Sequence, residues 1–137
     1  TPEYAKKRER ALARQKARQE VYVSEFFMEV IGFLDFHPRY EKEARRLGEK
    51  ITAHATPVNS GTVARTRRIP IARRAQTAVI AWMRHQTTAY DSMPVPRVKG
   101  KRREVRRALA VESMEILQAF RQGRDIAENC PLKKALI

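Results

Sequence analysis

Residues 71–91 read IARRAQTAVIAWMRHQTTAYD. Ala75, Ala78, Val79, Trp82 and Met83 fall at i, i+3, i+4, i+7 and i+8, and Ile80 and Ala81 widen the apolar face. That period belongs to a helix burying one stripe, not to a strand, whose side chains alternate every second residue. The stretch predicts the most buried helix of the chain, with Trp82 mostly buried between neighbouring helices. Met93-Pro94-Val95-Pro96 stops it, because a residue before proline is pushed out of the helical region.

Working outward, residues 101–122 return as a helix with Val105, Ala108, Leu109, Ile116 and Phe120 inward, and Gly123 suits its C-terminal stop. Residues 21–36 carry Phe26, Phe27, Val30, Ile31, Phe33 and Leu34 at helical spacing, a core helix ended near His37 by Pro38. Residues 41–53 form a shorter helix with Ala44, Leu47 and Ile51 on one face. Between 56 and 70, Pro57, Asn59-Ser60-Gly61 and Pro70 interrupt any regular pattern and mark a basic loop. Residues 2–20 are rich in good helix formers, but their apolar positions are mostly alanine, which leaves little to bury. No repeat, heptad array or strand alternation occurs. The expectation is an all-α, compact single-domain bundle of about four helices, residues 21–123. A basic helical leader, 1–20, precedes it and a tail, 124–137, follows. A chain of 137 residues has room for one core.

The formal net charge is +14 and the pI about 10.7. The excess is not spread evenly. Residues 1–63 carry 12 Lys/Arg against nine Asp/Glu, and residues 108–137 carry four against four. Residues 64–107 carry 13 against only Asp91 and Glu104. Unpaired like charges oppose compaction, and a polyanion relieves that cost. Nucleic acid is therefore the expected partner, through Arg65, Arg67, Arg68, Arg73, Arg74, Arg84, Arg97, Lys99, Lys101, Arg102, Arg103, Arg106 and Arg107. Arginine predominates among them, which suits bidentate phosphate contacts. Cations at the helix starts near Arg73 and Arg102 oppose the helix dipole, a penalty that a bound phosphate offsets.

Other classes are disfavoured. The single cysteine, Cys130, has no internal disulfide partner. The run 21–36 is broken by Ser24, Glu25, Glu29 and Asp35, too short and too charged to span a bilayer. A cytoplasmic protein without a signal segment or membrane partner is expected. His37, His54 and His85 lack metal-ligand spacing, and no phosphate-binding glycine loop occurs, so neither a metal nor a cofactor is expected.

Two stretches carry a family likeness. Ser60-Gly61-Thr62-Val63-Ala64-Arg65-Thr66 resembles a Ser-Gly-x-Val-x-Arg-Ser/Thr loop. Arg84-His85-Gln86-Thr87-Thr88-Ala89-Tyr90-Asp91 resembles an Arg-His-x-x-Thr-x-Tyr-Asp signature. Both are similar to motifs of domain of unknown function 2293, a family of bacterial and fungal proteins, over roughly residues 21–121. Pro94 and Pro96 depart from its usual pattern, which continues there as Leu-rich helix or turn. The resemblance implies a domain and no established activity.

The 84–91 motif admits three readings. It is a hydrogen-bonded helix end, with Asp91 accepting from an arginine or capping a turn. It is a nucleic-acid contact, with Arg84 on phosphate, Thr88 as hydroxyl donor and Tyr90 stacked on a base. Or it is a catalytic site, with His85 as general acid–base, Asp91 orienting it and Tyr90 beside them. Three functions follow from the chain as a whole. The first is a non-catalytic module gripping phosphate backbone, structured RNA (within a ribonucleoprotein or larger complex) being slightly favoured over DNA. The second is a nuclease or other nucleic-acid-processing enzyme using His85, Tyr90 and Asp91. The third is an adaptor for an acidic protein. Two carboxylates between residues 64 and 107 are too few for a two-metal nuclease centre.

Overall fold

The computed structural model describes residues 1–56 and 69–137. Among them the chain forms α1 (Pro2–Leu34), α2 (Glu41–Ala55), α3 (Ile71–Thr87), α4 (Lys101–Arg121) and the short α5 (Pro131–Ala135). Single turns at Pro38–Tyr40 and Tyr90–Ser92 are 3₁₀-helical. No strand occurs among the described residues, and the fold is all-α as the sequence predicts.

The apolar stripe of 71–91 becomes the centre of the molecule. α3 packs against α1, α2, α4 and α5. Ala75, Val79 and Met83, spaced four apart, are completely buried and form the ridge on which the other helices meet. Ile80 is a correction to the sequence reading, since it is exposed, while Trp82 lies beside this ridge with most of its surface covered against the core. The i+4 row carries the core, and the i+3 positions form its shoulder.

The segments read as 2–20 and 21–36 are one helix of 33 residues. Thr1 Oγ1 accepts from Tyr4 N at 3.3 Å, and Pro2 occupies the first turn, where its missing N–H costs nothing. Tyr22, Phe26, Val30 and Leu34 turn one i+4 row into the core, whereas residues 1–18 are exposed throughout. The helix stops at Asp35 in a left-handed conformation, φ 49°. Arg121 caps this end: its Nη2 donates to Phe33 O at 2.6 Å and its Nε to Leu34 O at 2.9 Å. α2 buries Ala44, Leu47 and Ile51 as predicted. Gly48 lets α2 approach α1 closely, since a Cβ there would lie 2.8 Å from Ile31 Cδ1 and 2.9 Å from Phe27 Cε2.

α4 differs from expectation in its first half. Ser113, Leu117 and Phe120 are its buried residues. Val105, Leu109 and Ile116 are only half-buried and Ala108 is exposed, so the first three turns run out past the core. Gly123 does end the chain's last long helix, at φ 68°. Its N–H donates to Phe120 O at 3.3 Å and that of Arg124 to Ala119 O at 3.1 Å, the paired bonds of a Schellman cap. A side chain there would strike His37, whose ring lies 2.6 Å from the position of a Cβ.

The stretch 124–137, read as a tail, is packed. Leu132 is completely buried, Leu136 is 6% exposed, and Ile126 and Cys130 lie against the core. Tyr40 Oη donates to Arg124 O at 2.5 Å, and Arg39 reaches Asp125 at 2.7 Å. Five residues of helix opened by Pro131 are too few to show a hydrophobic period, so pattern reading passes over them. Leu132→Ala should therefore cost about 2–5 kcal/mol, the range for a truncated core leucine. Chemical denaturation checks this, since a residue in a loose tail would change stability by less than about 0.5 kcal/mol.

Candidate nucleic-acid interface

The predicted cations fall into distinct groups. Arg65, Arg67 and Arg68, with the 60–66 motif, lie outside the described residues. Arg73 is exposed on the first turn of α3, which has no side-chain cap and no acid to balance its dipole. Arg74 is engaged in structure. Its guanidinium lies over the Tyr22 ring at 5.0 Å, donates to the Tyr22 hydroxyl, and reaches Ile69 O through Nε at 3.1 Å. It ties the start of α3 to the place where α1 enters the core.

The start of α4 is different. Gly100 at φ 84° turns the chain into the helix without a side-chain cap. Arg97, Lys99, Lys101, Arg102, Arg103, Arg106 and Arg107 are all exposed. Glu104 is the acid of this first turn, and Lys101 Nζ is 3.4 Å from its carboxylate. Among the described residues, the other six cations make no ion pair. Arg102 Nη1 makes a long contact, 3.4 Å, with the Tyr90 hydroxyl and so links α4 to the end of α3.

That end is the 84–91 motif, and the structure brings its polar residues together. His85 Nδ1 is 2.5 Å from Asp91 Oδ1. The Arg84 guanidinium lies over the Tyr90 ring at 5.2 Å, and the His85 ring meets the same ring edge-on at 5.5 Å. Arg84 Nε finds no hydrogen-bond acceptor among the described residues. The side chains of His85 and Asp91 are 45% and 62% exposed, so the pair stands at the surface.

The structural reading of the motif accounts for its threonines. Thr87 Oγ1 donates to Met83 O at 2.5 Å, and Thr88 Oγ1 donates to Arg84 O while accepting from Tyr90 N at 3.2 Å. The Thr88 hydroxyl proton is thus used within the helix end rather than offered outward. One face of Tyr90 is covered by Arg84. What remains outward is the imidazole edge of His85 and the cations around it. The sequence showed that these residue types stand near one another. It did not show that Tyr90 would be the post shared by Arg84, His85 and Arg102, because that depends on how α4 docks.

No group of three or more His, Cys, Asp or Glu side chains suited to a metal occurs among the described residues. No helix there is long and apolar enough to cross a membrane. The family model described as "Uncharacterized conserved protein (DUF2293)" matches residues 35–121. That span holds α2, α3 and α4. It begins at the end of α1 rather than near residue 21, where the sequence resemblance was drawn. No curated protein and no solved structure matches the chain.

The His85–Asp91 contact fixes a tautomer. A carboxylate only accepts, so Nδ1 must carry the proton, and in neutral His85 Nε2 is left as an acceptor. Nitrogen NMR shifts of neutral His85 should report the Nδ1–H form. Asp91→Ala should return it to the mixed population of a free imidazole.

Proposed function

This chain belongs to the DUF2293 family, and we propose that it is a non-catalytic module that grips the phosphate backbone of a nucleic acid. One observation carries the reading: the first turns of α4 project past the core and present Lys101, Arg102, Arg103, Arg106 and Arg107 to solvent, with Glu104 as the one carboxylate among them. Arg97 and Lys99 extend the same surface into the preceding loop. A helix start offers free N–H groups as well as its side chains, so a phosphate meets both there. Structured RNA stays slightly ahead of DNA, because arginines on loops and helix starts suit recognition of shape and backbone rather than of base edges.

Affinity for RNA or DNA should fall about 10²–10⁴-fold from low to moderately high salt, as for five to eight phosphate contacts. Replacing Arg102, Arg103, Arg106 and Arg107 together by Gln should reduce the slope of log affinity against log salt by about three to four. An affinity that is flat across the salt range would sink the reading.

A second reading has its own observation, the 2.5 Å contact of His85 with Asp91 at the surface. A carboxylate holding an imidazole in one tautomer is the arrangement of a general base. For a binding module the same contact locks the turn after α3 onto its helix. We expect no cleavage of single- or double-stranded RNA or DNA with Mg²⁺, Mn²⁺ or Zn²⁺ present. Reproducible cleavage that disappears in a well-folded His85→Ala protein would establish the enzyme instead.

A further inference from the structure

The first half of α1 carries charge that the bundle does not use. Residues 1–18 are exposed and hold Lys6, Lys7, Arg8, Arg10, Arg14, Lys16 and Arg18 against Glu3 and Glu9. None of the seven cations makes an ion pair among the described residues. At 3.6 residues per turn, Lys6, Lys7, Arg10, Arg14 and Arg18 fall within about 120° of the helix circumference. Four of them, Lys6, Arg10, Arg14 and Arg18, form an unbroken i, i+4 row. Glu9 lies towards the far side, and Glu3 in the first turn is the one acid on the cationic side.

This arrangement works against the helix. Like charges four residues apart repel, and no tertiary packing supports residues 2–18. A row of five cations with Glu3 as the one acid on its side, on a segment with no core to serve, is complementary to a linear polyanion. The rest of the surface excludes other occupants. Tyr4 and Leu12 are its only large apolar side chains, and the remaining apolar positions are alanine. That is too little to dock a partner helix or to lie in a lipid interface, both of which need a broad apolar face.

We propose that the Lys6–Arg18 row is a second phosphate-binding surface, which lies along a nucleic-acid duplex and extends the grip of α4. This rests on the reading of α4 given above. The arm leaves the core at Tyr22, held by Arg74 at the start of α3, while Arg102 meets Tyr90 at the opposite end of α3. The two cationic helices therefore lie at opposite ends of α3. The arm is about 25 Å long, and an α-helix fits the major groove of B-form DNA. The major groove of A-form RNA is too deep and narrow to be read in this way, so on RNA the row would lie across the backbone.

The test uses the full chain with DNA and RNA duplexes of roughly 24 base pairs, titrated across a salt series. Replacing Lys6, Lys7, Arg10, Arg14 and Arg18 together by Gln, a comparable helix former, should cut affinity at low salt at least about tenfold and reduce the salt slope by about three to five. Replacing Arg8 and Lys16, which lie off the row, should change the slope by less than about one. A charge-conserving variant separates pattern from net charge. Arg14→Gln with Gln15→Arg, and Arg18→Gln with Gln19→Arg, moves two cations about 100° off the row and should lower the slope by about two. Far-UV circular dichroism confirms that the helix survives in each. A DNA-only effect identifies groove seating and an effect on both duplexes identifies backbone contact. Either supports the proposal. A slope unchanged in the five-residue and charge-conserving variants overturns it, and leaves the α4 reading standing if the α4 variant still loses affinity. Binding of the arm to phosphatidylserine vesicles in place of duplex also overturns it. A wild-type chain that binds neither duplex removes both readings together.

Discussion

Everything else among the described residues is arranged around one buried ridge, Ala75–Val79–Met83 on α3, the helix against which α1, α2, α4 and α5 all pack. A helix touched on so many sides has few positions left for charge, and the charged residues of α3 stand towards its ends, with Gln76 and Thr77 as exposed polar residues between them. Arg73 and Arg74 stand at its start, and Arg84 and His85 in its last turn. The 84–91 motif is thus placed by packing, since the ridge determines which end residues face out. The ridge also limits α4. Arg102 and Arg106 lie on the same side of that helix as Ser113, Leu117 and Phe120, three, four or seven residues apart along one stripe. Had the core continued along the helix, it would have enclosed two guanidinium groups, and buried charge without a partner is prohibitive. The core therefore ends where the stripe turns cationic, and the first turns of α4 project for that reason.

Composition alone treats the arginines as one population, and the structure divides them. Arg39, Arg74, Arg84 and Arg121 each lie over an aromatic ring, those of Tyr40, Tyr22, Tyr90 and Phe33. Arg74 and Arg121 in addition bond backbone carbonyls, and Arg39 bonds Asp125. These side chains rim the core, with their planar heads on ring faces and their stems covering apolar surface. Among the described residues, the cations of the α4 start and of the α1 arm have no ring beneath them. Their charge is open to the solvent or to a ligand. The distinction matters for the charge argument, because part of the excess in residues 64–107 belongs to the fold.

The legible part of the fold was the part with a long period. The 71–91 and 41–53 stripes gave helices whose inward residues are nearly those observed, and Gly123 stopped α4 through its left-handed backbone. Three features were not legible, each for a physical reason. Ile80 widens the apolar face of 71–91, and only the docking of neighbours decides that the core leaves it exposed. α5 is too short for a period to emerge. The outward run of α4 is marked in its sequence only by Arg102 and Arg106 on the buried stripe, and the apolar spacing of Val105, Ala108 and Leu109 beside them hides that signal. Of the site, the residue types of 84–91 were legible and their roles were not. Thr88 is turned inward to the helix end, and Tyr90 becomes a common support for Arg84, His85 and Arg102.

The two cationic helices also differ in what ordering them costs. The first turns of α4 continue a helix whose second half is clamped by Leu117 and Phe120, and Arg102 is already directed by Tyr90. A ligand there meets a helix backbone already held in place, so the order it imposes falls on the exposed side chains alone. The α1 arm has only its own hydrogen bonds and its helix-forming composition, and its end frays more readily for want of packing. A phosphate backbone that engages both would be fixed first by the rigid start of α4, beside the His85–Asp91 pair, and then draw the arm along its length. In that arrangement the affinity of the α4 surface determines where the ligand sits, and the contacts of both helices together set how steeply the hold responds to salt.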